Sequence, residues 1–182
     1  MHVAILPMSG LNFDELCADF EDIAPSDLGE KASAMLNAPY LQESPVAECK
    51  KLVQGAVWGS SLRPIISLDV QVTEAIITLS GTRKPVHVHF LYLQASPQTY
   101  LSDEALRAMG VEDMVVAGES LTNSDDSMRI PLYINGYRTW VIRSPPESHF
   151  AHLNILGEDF IQASRAQVFF GGNEPQFAMK FP

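Results

Sequence analysis

A mainly β domain of antiparallel strands with two short helices, preceded by a helical N-terminal extension, is the architecture this 182-residue sequence predicts. Three observations carry it. Apolar residues recur at helical spacing before about residue 60 and alternate from Arg63 onward. Asn135-Gly136 separates two apolar runs, which is a strong signal for a two-residue hairpin. The remaining strand-like runs are short and punctuated by Gly, Pro and polar turn residues.

Residues 1–60 hold nine acidic and three basic residues, whereas 61–182 hold thirteen and nine, so the first segment is the more acidic. Within it, Leu11, Phe13, Leu16, Phe20 and Ile23 sit mostly three or four apart and predict an amphipathic helix that Pro25 ends. Weaker helical patterns run through LGEKASAMLNA and PVAECKKLVQGAVW. The expected division is an acidic helical or partly ordered extension over 1–60, a β domain over 61–171 and a C-terminal tail over 172–182. The acidic face of the extension reads most simply as solvated surface, and a partner-docking helix is the sharper alternative.

In the β domain, PIISLDVQV, EAIITLSG and VHVHFLYL are rich in Ile, Val and aromatics and read as strands. DEALRAM reads as a short helix capped by Ser102, with Asp103 and Glu104 at its positive end and Gly110 as its stop. After MVVAGE and the polar stretch SLTNSDDS, MRIPLYI and YRTWVIR form the Asn135-Gly136 hairpin. The loop SPPESHFAH then leads to the apolar strand LNIL, Gly157, a helix over 158–163 and a last strand AQVFF.

Composition narrows the function. A net charge of −10 argues against nucleic-acid binding, which rests on Lys and Arg displacing counterions. No apolar run approaches the roughly 18 residues of a membrane helix, and MHVAILPMSG lacks the basic start of a signal peptide, so no membrane association and a cytoplasmic location are expected. Cys17 and Cys49 have no CxxC spacing and read as free thiols. His87, His89, His149 and His152 lack a neighbouring Cys or carboxylate at ligand spacing, so neither a metal nor another cofactor is expected. Ser96 and Ser102 lie in no GxSxG elbow and read as turn and cap residues. Gly171-Gly172 opens no helix and reads as a flexible exit.

The order of pieces is specific. A strand and hairpin, a strand ending in a small-residue turn at HFLYLQASPQTYLSDEALRAMG, a polar hairpin, an Asn-Gly hairpin and then NILGEDFIQASRAQVFF together resemble the retropepsin family, the retroviral-type aspartic proteases, over about residues 63–170. The resemblance implies a closed, barrel-like antiparallel β fold in which Ile155, Leu156 and Gly157, followed by Asp159, thread behind the active-site turn. It also implies a flap at Gly118, Asn123, Asp125 and Asp126, and a C₂ homodimer whose terminal strands, here PIISL and AQVFF with Val168 and Phe169, share a sheet. The extension or the tail could instead fold back over those edges.

Where the family carries Asp-Thr-Gly, alignment on Ser96 puts Leu93, Gln94 and Ala95. The family mechanism needs two carboxylates sharing a proton, one from each chain. Leu93 can neither ionise nor hydrogen-bond, Gln94 has the wrong length for the threonine's lattice, and Ala95 adds a Cβ where glycine permits a tight turn. None of Asp69, Asp103, Asp125 and Asp126 sits at a strand-to-turn apex. The expectation is a catalytically inactive structural or protein-interaction module, a subunit of a larger assembly, with a homodimeric or other protein partner and a cleft able to take an extended peptide. The alternative is an aspartic endopeptidase active as a homodimer.

Overall fold

A computed structural model describes residues 23–44, 49–59, 61–74, 76, 84–111, 129–171 and 176–182. The strands are β1 (Leu52–Trp58), β2 (Arg63–Val72), β3 (Val86–Tyr92), β4 (Thr99–Leu101), β5 (Arg129–Ile134), β6 (Tyr137–Arg143), β7 (Ile155–Leu156), β8 (Gln167–Gly171) and β9 (Gln176–Lys180). The short helices are α1 (Pro25–Asp27), α2 (Ser33–Leu36), α3 (Asp103–Ala108) and α4 (Glu158–Ser164), with a π-helical turn at Leu28–Ala32 joining the first two. The fold is mainly β, in the class the sequence predicts.

Six strands close on themselves in the order β3-β7-β4-β6-β5-β2, and β2 pairs back to β3. Alternation explains the closure. Ile66, Leu68, Val70 and Val72 of β2 and Val86, Val88, Phe90 and Tyr92 of β3 are all buried in the interior, with Leu132, Val141, Leu156 and Phe160. The opposite-parity residues Ile65, Leu91 and Ile155 instead join a second cluster outside the barrel with Ile23, Leu28, Ala32, Trp58, Phe150 and Leu153. The strands of the barrel are therefore apolar on both faces along part of their length.

Local signals account for the connections. Asn135 and Gly136 adopt φ of 47° and 78°, as a hairpin turn with two left-handed residues requires, and β5 pairs with β6 in register from Ile134↔Tyr137 to Arg129↔Ile142. Ser102 caps α3 by accepting from the Ala105 amide at 3.2 Å, and Gly110 leaves the helix at a φ of 63°. Cys49 is a free, exposed thiol.

Two segments differ from the sequence expectation. PVAECKKLVQGAVW, read as helical, contains β1, which pairs with β2 on one side and β9 on the other. Gly55 allows this approach, since a Cβ there would lie 2.4 Å from a Phe177 ring carbon and 2.5 Å from the Ile65 carbonyl oxygen. The stretch 172–182, read as a tail, contains β9, whose Phe177 and Met179 are buried together with the following Phe181. Both segments are drawn into strands because apolar side chains there find cover only by extending the sheet. The helix expected over Leu11–Ile23 except Ile23 itself, the flap residues Gly118, Asn123, Asp125 and Asp126, Cys17, MVVAGE and most of EAIITLSG lie outside the described residues.

The expected dimer strands have particular surroundings. PIISL lies within β2, where Pro64 and Ile65 pair with β1 and Ile65 to Leu68 pair with β3 of the same chain. AQVFF supplies β8, which pairs on one side with β9 of the same chain, and Phe169 and Phe170 remain 48% and 60% exposed.

Candidate functional site

The turn after β3 is where the sequence reading locates the site. Leu93 is half-buried, Gln94, Ala95 and Pro97 are exposed, and Ser96 is buried. The Ser96 amide donates to the Leu93 carbonyl at 2.9 Å, closing a tight turn, while the Ser96 hydroxyl donates to the Gln98 carbonyl at 2.6 Å. The turn is thus braced from within by its one small polar residue.

β7 anchors the turn from behind. It runs parallel to β3 through Leu91↔Ile155 and Tyr92↔Leu156, and antiparallel to β4 through Tyr100↔Ile155. The Leu93 amide donates to the Leu156 carbonyl at 3.1 Å and the Glu158 amide to the Ser96 carbonyl at 2.9 Å. Gly157 has a φ of −95°, open to any residue, so its role is space: a Cβ would lie 2.3 Å from the Gln98 carbonyl oxygen and 2.5 Å from its carbon. Ile155, Leu156 and Gly157 therefore lie directly behind the turn that holds Leu93.

The nearby carboxylates have defined partners. Asp159 accepts from the Thr99 amide at 3.1 Å, from the Thr99 hydroxyl at 2.6 Å and from the Phe160 amide at 2.7 Å. Thr99 Oγ1 in turn accepts from the Gly157 amide at 3.1 Å. Glu158 accepts from the Tyr92 hydroxyl at 2.9 Å, and burial followed by this contact pushes the Tyr92 phenol up to about 12. These hydrogen bonds tie the turn, β4 and α4 into one unit, and no sequence motif announced Thr99 or Tyr92 as members.

Asn154 is a further participant the sequence reading did not single out. It is buried, accepts from the Ser102 amide at 2.9 Å, and donates to the His89 carbonyl at 3.1 Å and the Tyr40 hydroxyl at 3.0 Å. One side chain thus joins β3, the cap of α3 and the N-terminal segment. Its position directly before the Ile-Leu-Gly element is the sequence signal that could have pointed to it.

The histidines are dispersed among separate partners. His87 and His89 share a face of β3, as two residues of equal parity must. His87 Nδ1 is 2.6 Å from the buried Asp69, which Lys50 Nζ also approaches at 3.1 Å. His89 Nε2 lies 3.1 Å from Ser33 Oγ, and its ring tilts against Tyr40 with centroids 5.1 Å apart. Burial first, and the neighbouring His87 second, hold His89 down at about 4, so it is neutral at pH 7. His149 meets Phe150 edge-on, and His152 Nε2 donates to the Ile23 carbonyl at 2.7 Å. Among the described residues, no three His, Cys, Asp or Glu side chains converge as a metal site. Asp103, the first residue of α3, pairs with Arg143 through two contacts, one of 2.6 Å.

Among the described residues, no helix is long and apolar enough to cross a membrane. No family model and no curated protein matches the chain. Among solved structures, the chain is similar in fold to a retropepsin-like aspartic protease from Rickettsia conorii, at 9% sequence identity and a TM-score of 0.43, over 71% of this chain and 89% of that one.

Proposed function

We propose that this chain is a catalytically silent, retropepsin-like structural or protein-interaction module, working as a homodimer or as a subunit of a larger assembly. The observation that carries the reading is Leu93 at the apex between β3 and β4, where the retropepsin resemblance calls for the ionisable residue. A water-activating dyad needs two carboxylates close enough to share a proton. Glu158 and Asp159, the carboxylates adjoining the turn, are instead committed to Tyr92 and Thr99. Among the described residues, the turn itself carries no carboxylate, and the two that adjoin it serve its hydrogen-bonded scaffold.

Incubation with a diverse peptide library at about pH 4 to 6, where a carboxylate dyad works, tests this. No pepstatin-sensitive cleavage is expected. Such cleavage would favour the alternative, an aspartic endopeptidase active as a homodimer. The surface proposed for the homodimer is the edge of β8 left unpaired among the described residues, which carries Val168, Phe169 and Phe170 and no charged residue within Gln167–Gly171. Light scattering on the full chain should give the mass of a dimer, and the double substitution Val168→Asp with Phe169→Asp should reduce it to one chain. A wild-type mass of one chain at every concentration defeats the homodimer.

A further inference from the structure

Residues 23–44 meet the barrel as a peptide meets a receptor. In the helical part, Ile23, Leu28 and Ala32 are buried against Trp58, Ile65, Leu91, Phe150, Leu153 and Ile155. In the extended part, the Leu41 amide donates to the His87 carbonyl at 2.8 Å, the His87 amide to Gln42 at 3.0 Å, and the Ser44 amide to Pro85 at 2.8 Å. Glu43 forms a bridge to Val86 in the same antiparallel sense. Helix-in-groove packing and strand addition are two general ways of holding a peptide, and this segment uses both in succession.

Its packing lies mostly outside the barrel interior. Ile23, Leu28 and Ala32 belong to the outer cluster, and half-buried Leu41 is the residue of this segment that packs against the interior cluster. The helical turns at Pro25–Asp27, Leu28–Ala32 and Ser33–Leu36 are too short to persist alone in water, so they take their form on the groove. Polar anchors fix the register: Ser33 with His89, Tyr40 with Asn154, and the Ile23 carbonyl with His152.

We propose that this groove is a peptide-binding site for an amphipathic helical segment followed by an extended stretch, and that residues 23–44 are its resident ligand, held in cis. The inference goes beyond the proposed function and does not depend on it. Half-buried Leu93 and Tyr100 pack against the same outer cluster, so the groove adjoins the turn. Another peptide of the same pattern can occupy the groove only when residues 23–44 have left it.

The test uses the full chain with a site-specific protease sequence inserted between residues 44 and 49, and a fluorescein-labelled synthetic peptide of residues 23–44. After cutting, the chain should keep its far-ultraviolet circular dichroism and take up the labelled peptide saturably. The uncut chain should bind it at least about tenfold more weakly, because a tethered ligand competes at an effective concentration in the millimolar range. A labelled peptide carrying Leu28→Asp should also lose at least about tenfold in affinity, since it places a charge in the apolar groove. Loss of fold by the cut chain on dilution, or a folded cut chain that takes up no labelled peptide, overturns the proposal. Peptide exchange and peptide cleavage are read separately, so either reading can fail alone.

Discussion

The two faces of β3 are built from alternate residues of one short run, and they do different work. Val86, Val88, Phe90 and Tyr92 point into the closed barrel and pack in its apolar core, with the Tyr92 hydroxyl alone of their side-chain atoms reaching a charged group, Glu158. On the other face, His87 pairs with Asp69, His89 with Ser33 and Tyr40, and Leu91 with the apolar outer cluster. The inner face is apolar in its side-chain packing and specifies a core; the outer face grades from polar to apolar and specifies what docks on it and in which register. Burial alone does not separate the two, because His89 and Phe90 are both fully buried.

The sharpest way to break the contrast is Phe90→Ala. Removing a fully buried aromatic ring from the barrel interior should cost about 4 kcal/mol in urea unfolding, with hydrogen-exchange protection falling across all the barrel strands together. If protection fell in residues 23–44 alone, the two faces would not be energetically distinct.

Gly157→Ala tests the junction between them. The added Cβ meets the backbone of Gln98, which cannot swing aside as a side chain can, so a loss of about 3 kcal/mol is expected. Thermal unfolding measures it, and amide exchange at Thr99 and Glu158 should report the displaced turn. An unchanged melting temperature would mean that the turn shifts freely against β7.

The outer face should also be the pH-sensitive one. His89 titrates at about 4 in the folded chain against 6.5 for an ordinary histidine. Between those values the unfolded chain binds a proton that the folded chain refuses. Stability therefore falls as pH drops from about 6.5 to about 4, by up to about 3 kcal/mol from this group. Urea titrations at several pH values should show that slope in the wild type and a shallower one in His89→Gln. Equal slopes would assign the effect to other groups.

Much of the barrel was legible because its signals are local. The alternation of VHVHFLY, the Asn135-Gly136 turn and the Ser102 cap each act within a few residues. The turn and the Ile-Leu-Gly element could be placed relative to one another only through the family resemblance, since no local pattern pairs Leu91 with Ile155. β1 was missed because the apolar spacing of LVQGAVW fits a helix as well as a strand, while Gly55 and the two valines argued quietly for the strand. β9 was missed because Phe177, Met179 and Phe181 alternate over too short a run beside a Gly-Gly pair. The docking of residues 23–44 depends on Asn154, Tyr40 and His89, whose partners lie far away in sequence and leave no periodic trace.

The threading of β7 has a consequence for the order in which the molecule can be assembled. Its two residues fill the slot between β3 and β4, strands made long before it, so during synthesis the barrel stays open at that seam until Ile155 and Leu156 have emerged. Such distant pairings are costly in loop entropy and are made late. Until then β3 and β4 expose unpaired backbone at the seam, a hazard for association between nascent chains.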